Sequence, residues 1–294
     1  MCKKGTLFFV RALFFRYTGG KTISGGIVMY KAVAAVICMC LLAGCQSNEK
    51  MQTNKPHSQA AANHAKRENH HTKEEKQKKQ KAEPRYYINP KSFSVEKMDE
   101  QKEKKPIALV TIDDAPDQHA AEIADKLHDL NASAIFFVNG HFLKKDENKK
   151  ALKHIHELGF MIGNHTMTHQ NLKDLSEQKQ REEIIGVNKA VEKVIGEKPA
   201  FFRAPFGSNT DYSDRLIKKE GMVKMNWTFG YDWDQKYQSK KALTDITLNS
   251  PYLRDGANIL MHDRKWTAEA MPDIVKGLRH KGYTVIDPRA IKRP

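Results

Sequence analysis

"IALVTIDDAPDQHAAEIADKLHDL", residues 107–130, passes from one structural period to another within a single stretch. Ile107 to Ile112 is a run of apolar and β-branched residues, "DDAPDQ" is polar, and residues 119–130 carry a helical pattern. A buried strand followed by a helix is the plain reading. The same unit then recurs. "SAIFFVNG" (133–140) predicts a second strand, "NKKALKHIHELG" (148–159) a helix, and "FMIGNHT" (160–166) another strand end. "EQKQREEIIGVNKAVEKVIG" (177–196) predicts a long amphipathic helix, "AFFRAPFG" (200–207) a strand with a loop, and "DRLIKKEG" (214–221) a helix. "MVKMNWTF" (222–229) and "ANILMHD" (257–263) read as strands, "MPDIVKGLRHKG" (271–282) as a helix, and "YTVID" (283–287) as the last strand. Alternation of this kind argues for a parallel α/β domain, a barrel or a doubly wound sheet. Both architectures place their chemistry at the carboxyl ends of the strands.

Polar, chemically capable residues collect at those ends. Asp113-Asp114 follow the first strand, Asn164-His165 the third, Arg203 to Gly207 the next, Asp232-Trp233 follow "MNWTF", and His262 follows "NILM". The Asp pair alone would serve as a turn and helix cap, with Pro116 in the first turn. "HTMTH" (165–169) carries more, because histidines at i and i+4 on one helical face can both reach one ion, with an acidic residue as third ligand. Three protein ligands leave a position for water, as a hydrolytic metal requires.

The remainder of the chain sets the context. Of 294 residues, 50 are Lys or Arg and 35 Asp or Glu, a formal net charge of +15, and much of the excess lies in runs such as "KEEKQKKQK" (73–81). No aromatic residues interleave with these runs as base-stacking platforms would, so they predict a solvated tether and no nucleic-acid partner. All four cysteines (Cys2, Cys38, Cys40, Cys45) fall in the first 45 residues, so the rest of the chain is stabilised without disulfides. "MYKAVAAVICMCLLAGC" (29–45) has the lysine, short apolar core and small-residue end of a signal peptide. Leu42-Ala43-Gly44-Cys45 resembles a bacterial lipobox, which implies lipidation at Cys45 and a membrane partner through that anchor. The expected organisation is a signal region over 1–45, with translation starting at Met29, a disordered spacer over 46–85, and a single catalytic domain over 86–294. The spacer is too poor in large apolar residues to offset the entropy of ordering.

Five short motifs together resemble the polysaccharide deacetylases of carbohydrate esterase family four. "TIDDA" (111–115) is similar to the family's Thr-Phe-Asp-Asp-Gly, "HTMTH" to His-Ser/Thr-x-x-His, and "RAPFG" (203–207) to Arg-x-Pro-x-Gly. "YDWD" (231–234) is similar to the end of Asp-x-x-Asp-Trp, and "LMH" (260–262) to Leu-x-His. The resemblance covers residues 105–288 and implies a distorted (β/α) barrel of parallel strands. It implies Asp114, His165 and His169 as ligands of a divalent metal, zinc first, with cobalt, nickel or manganese also able to serve. It implies Asp113 as general base, Arg203 holding it, His262 as general acid, and Asp232 orienting His262. The Phe206 N–H would meet the oxyanion, while Trp233 and Leu260 would line the acetyl pocket.

The function so implied is hydrolysis of N-acetyl groups on amino sugars of an envelope polysaccharide, peptidoglycan N-acetylglucosamine first. The enzyme would be a monomer on the outer face of the cell membrane. The alternatives are an O-acetyl polysaccharide esterase and a non-catalytic glycan-binding protein on the same fold. Support for the second lies in Ala115, which stands where the family has glycine and would cost about 1 kcal/mol if positive φ were needed there. Phe229 or Gly230 stands in place of the first aspartate of Asp-x-x-Asp-Trp. Trp266, just beyond His262, is a candidate sugar platform at the rim, whereas His141, His154 and His156 are expected in surface or satisfied polar positions.

Overall fold

Two short antiparallel strands, β1 (Tyr86–Ile88) and β2 (Val95–Lys97), open the part of the chain that the computed structural model describes, residues 83–102 and 104–294. The signal region, Cys45 and the spacer up to residue 82 lie outside the described residues. Strand β3 (Ile107–Ala115) then starts the alternation, followed by helix α1 (Ala120–Asp129) and β4 (Ala134–Val138). Helix α2 (Asp146–Glu157), β5 (Met161–Asn164) and α3 (Glu177–Ile195) continue it. Next come β6 (Phe201–Phe202), α4 (Asp211–Lys219), β7 (Val223–Lys224) and β8 (Phe229–Gly230). Helix α5 (Lys240–Leu248), β9 (Ala257–His262), α6 (Lys265–His280) and β10 (Thr284–Val285) complete it.

Among the described residues the main sheet has eight strands, all paired in parallel, along the path β7-β6-β5-β4-β3-β9-β8, with β10 on the amino half of β3. Its two ends are neighbours in sequence, since only residues 225–228 join β7 to β8. Five Cα steps reach at most about 18 Å, whereas six strand spacings laid flat would separate those ends by about 29 Å. The sheet must therefore curl, which decides for a distorted, open-seamed barrel and against a flat doubly wound sheet.

Alternation along the strands fills both faces of the curl. Ala108, Val110 and Ile112 of β3, with Phe136 and Val138 of β4, pack with Ile123, Leu127, Met271 and Ile274 from the surrounding helices. Ile107 and Leu109, with Ile135 and Phe137, point the other way and meet Phe201, Met225, Ile286 and Ile291. Toward the carboxyl ends the buried residues become polar, with Thr111, Asp113 and Arg203 almost wholly enclosed, and Asn258 near the amino end of β9 is enclosed as well.

Several expected boundaries move, each for a local reason. The last helix begins at Lys265 rather than Met271 and tolerates Pro272 inside it. Helix α4 starts at Asp211 because Thr210 and Ser213 form a reciprocal capping box. "MVKMNWTF" forms two separate short strands rather than one, and both α5 and the β1–β2 hairpin escape the pattern reading.

Candidate active site

The end of β3 carries two adjacent carboxylates that both approach His165, whose Nε2 lies 3.5 Å from Asp113 Oδ2 and 3.9 Å from Asp114 Oδ1, but that otherwise face different partners. Asp113 is 2 % exposed, and its Oδ1 accepts from Arg203 Nη1 at 2.6 Å. Arg203 is wholly buried; Nη1 also donates to Thr111 Oγ1 at 2.8 Å, and Nη2 to the carbonyl of Asn226 at 2.8 Å and to Asn258 Oδ1 at 3.3 Å. Its guanidinium lies 4.3 Å from the Phe137 ring centroid. A Cβ at Gly163 would come within 2.4 Å of that same ring, so the absence of a side chain there leaves Phe137 its place. Burial pulls the Arg203 guanidinium below its ordinary pKa, and the adjacent Asp113 offsets only part of that shift.

Asp114 turns toward the loop after β5. Its Oδ1 lies 3.6 Å from His169 Nε2 and 3.9 Å from His165 Nε2, and its Oδ2 accepts from Arg264 Nη2 at 3.0 Å. Donor atoms of Asp114, His165 and His169 all fall within 4.8 Å of one another, the geometry of a divalent-cation site. The donor chemistry fits as well. His165 Nδ1 donates to the carbonyl of Arg203 at 2.8 Å, which leaves Nε2 as the lone-pair nitrogen facing the carboxylates. Burial and the neighbouring His165 ring hold the His169 pKa below its ordinary value, favouring the neutral form that binds metals. Burial alone would raise the Asp114 carboxyl, but His165, His262, His169 and Arg264 outweigh it and the net shift is downward.

"HTMTH" is not a helical turn. It is a loop beyond β5 in which Thr166 and His169 have φ of 68° and 60°, so the imidazoles converge through backbone reversal instead of helical stacking. Their ring centroids are 5.0 Å apart. The loop is held from behind. Asn139 Nδ2 donates to the carbonyl of His165 at 2.5 Å, and Glu183 of α3 accepts from Thr168 N at 2.8 Å and Thr168 Oγ1 at 2.6 Å. His141 donates its backbone N–H to the carbonyl of Met167 at 2.8 Å, so this satisfied histidine braces the loop.

Positive φ marks the site more widely. Among the described residues, the non-glycine positions in that region are Phe93, Asp114, Asn131, Thr166, His169 and Phe206, and four of these six line the site. Ala115 is not among them. It is wholly buried and pairs with Val138 of β4, so the expected strain falls one residue earlier, on Asp114, whose side-chain type tolerates it better. The methyl of Ala115 points to the core and gives no support to a non-catalytic reading.

His262 ends β9 directly opposite Asp113 in the β3–β9 ladder. Its Nδ1 lies 2.7 Å from Asp232 Oδ1, and its backbone N–H donates to Asp232 Oδ2 at 2.5 Å. Thr267 Oγ1 donates to Asp232 Oδ2 at 2.7 Å and Trp266 Nε1 to the Asp232 carbonyl at 2.8 Å. Trp266 therefore braces Asp232 and packs against the core, rather than standing free as a sugar platform. Burial would push the His262 pKa down, but Asp232 reverses this and raises it to about 8.

The remaining expected residues divide between wall and rim. Leu260 is buried, whereas Trp233 and Phe206 are 64 % and 68 % exposed. The Phe206 ring stands edge-on to His169, with centroids 5.0 Å apart, and its N–H has no protein acceptor among the described residues. Phe229, at the place of the motif's first aspartate, is a core residue. His154 and His156 are half-buried, with Nε2 atoms 2.6 Å from Asp125 Oδ1 and 3.7 Å from Glu197 Oε2 respectively. Two residues escaped the sequence reading, Asp263 and Arg264. The buried Asp263 accepts the N–H groups of Asp117 and His119, each at 2.6 Å, and donates its own to the carbonyl of Asp113 at 3.0 Å. The rule that selected His262, a polar residue just past a strand end, applies equally to both.

The profile of the family "Polysaccharide deacetylase" matches residues 99–225. A peptidoglycan-N-acetylglucosamine deacetylase of Bacillus cereus is 32 % identical over 190 residues, covering 62 % of this chain and 68 % of that relative. The chain belongs to the polysaccharide deacetylase family. A second such deacetylase from the same organism is 30 % identical over 186 residues, covering 61 % of this chain and spanning 65 % of that relative's length. Among solved structures, the peptidoglycan deacetylase PdaC of Bacillus subtilis superposes with a TM-score of 0.56 at 28 % identity, covering 62 % of this chain and 88 % of that one. The polysaccharide deacetylase fold thus spans the parallel barrel and brings the five motifs to one end of it.

Proposed function

We propose that this chain is a metal-dependent hydrolase that removes N-acetyl groups from amino sugars of a cell-envelope polysaccharide, with peptidoglycan N-acetylglucosamine as first substrate. The observation that carries the reading is the division of labour between adjacent carboxylates. Asp114 faces two imidazoles, while Asp113 is held by Arg203 opposite His262. Asp114, His165 and His169 would hold the ion, zinc first, with cobalt, nickel or manganese as substitutes. A bound divalent cation supplies Lewis acidity, polarising the acetyl carbonyl and acidifying water.

The protein's own groups complete the chemistry. Arg203 holds Asp113 Oδ1, which leaves Oδ2 to take the proton of the attacking water. His262 Nδ1 is committed to Asp232, so Nε2 is the atom that delivers a proton to the departing nitrogen. An amine leaves poorly as an anion, and a histidine raised to about 8 is still protonated at neutral pH. That requirement favours an amide over an O-acetyl ester, whose alkoxide needs the proton less. The Phe206 N–H would meet the developing oxyanion, with Leu260 and Trp233 around the acetyl methyl.

Acetate release from purified peptidoglycan, chitooligosaccharides and acetylated xylan, with and without chelator, tests the reading. Release from the first two that chelation abolishes and zinc restores is expected. Release that ignores the chelator, or sugar binding with no acetate, defeats it.

The same reading places the 86–294 domain outside the cytoplasmic membrane, tethered by residues 46–85 to lipidated Cys45, as a monomer. Its support is the Leu42-Ala43-Gly44-Cys45 sequence and the composition of the segment that follows. Incorporation of radiolabelled palmitate is expected in the wild type and lost in Cys45→Ser. Equal labelling of the two removes the anchor.

A further inference from the structure

We propose that Arg264 is a positioning residue for the ion, holding one oxygen of Asp114 so that only the other is presented to His165 and His169. This rests on the metal reading above. The two oxygens of Asp114 are already differentiated. Oδ1 lies 3.6 Å and 3.9 Å from the two imidazole Nε2 atoms, while Oδ2 takes the Arg264 Nη2 donor at 3.0 Å. The donor comes from far along the chain, since Arg264 is the residue preceding α6, 150 positions from Asp114.

Arg264 is itself anchored. Its Nη1 donates to the carbonyl of Asp263 at 3.0 Å. Asp263 in turn binds the N–H groups of Asp117 and His119 and donates to the carbonyl of Asp113. The end of β9 therefore grips the end of β3 and the following loop at several points, and Arg264 extends that grip to the Asp114 side chain. A carboxylate left free to turn offers both oxygens to a cation, and the coordination number rises.

A guanidinium beside a cation site also repels the ion. That term is weakened here, since the Arg264 side chain is 38 % exposed and solvent screens it, and the Asp114 charge lies between. Orientation is therefore the larger effect.

The test is titration of the metal-free full chain with Zn2+ and Co2+ by calorimetry, with the visible absorption of the Co2+ form as an independent readout. The wild type is expected to bind one ion, and His165→Ala to lose it. Arg264→Ala is expected to bind about 10–100-fold more weakly, the cost typical of losing a group that orients a metal ligand. Its Co2+ bands should weaken as coordination expands beyond four. Arg264→Lys keeps the charge without the planar fork and should fall between. Equal or tighter binding by Arg264→Ala with an unchanged spectrum overturns the role of Arg264 alone. A wild type that binds no ion overturns the metal reading and this role with it.

Discussion

Asp113→Asn is expected to release acetate about 10²–10⁴-fold more slowly than the wild type, the usual contribution of a positioned general base, while still binding one ion per chain. The amide keeps the shape of the carboxylate and one oxygen for Arg203, but it takes no proton. Asp114, His165 and His169 are untouched, so metal content measured beside the rate separates loss of the base from loss of the site. The substitution has a second consequence. Arg203 is wholly buried, and among the described residues Asp113 is its sole ionic partner and its Nε finds no acceptor. Removing one partner of a buried ion pair typically costs about 3–5 kcal/mol. The neutral acceptors Thr111 Oγ1 and the Asn226 carbonyl remain, so the loss in chemical denaturation should lie toward the lower end.

A double substitution, Asp113→Asn with Arg203→Met, separates the two roles. Neutralising both partners removes the stranded charge, and stability should recover relative to Asp113→Asn alone. Acetate release should not recover. Activity returning with stability would show that Asp113 matters only as Arg203's counter-ion.

The Arg203–Asp113 pair also shows what a sequence discloses and what it withholds. The strand–helix alternation is legible because each long strand and helix carries its own period, and the motif residues are legible because they sit just past those strands. Strands β7 and β8 are two residues each, too short for any period, and only the ladder partners Phe201–Phe202 and Ile259–Leu260 make them strands. Their closeness in sequence nonetheless fixes the curl of the whole sheet. "HTMTH" misleads in a more instructive way. Spacing of four suggests a helical face, and the chain brings the two rings together by reversing its backbone at Thr166 and His169 instead. Residue types at i and i+4 report that two groups can meet without reporting how. Ala115 errs similarly by one residue, because strain at a strand end is assigned by the local turn and not by the identity of one small side chain. Arg264 satisfies the same strand-end rule that selected His262, but its partner Asp114 lies 150 positions away, and no local pattern reports that pairing.

His262→Ala should separate two kinds of substrate. With an acetamido sugar the departing nitrogen needs a proton, and acetate release is expected to fall about 10²–10⁴-fold. With an aryl acetate the phenolate leaves unaided, and the same variant should lose far less. An equal loss on both would make His262 a structural or binding residue. The acid's pH range is set by Asp232, which lies within hydrogen-bond reach of Nδ1 at 2.7 Å and overcomes the downward pull of burial to hold His262 at about 8. Because the protonated form is the active one, wild-type turnover of the acetamide should decline as pH rises through that value. Asp232→Asn removes the charge and leaves the burial, so the imidazolium loses its largest support and the decline should move to lower pH. The aryl acetate, needing no proton, should show neither the decline nor its shift. A basic limb that stays in place in Asp232→Asn would assign the titration to some group other than His262.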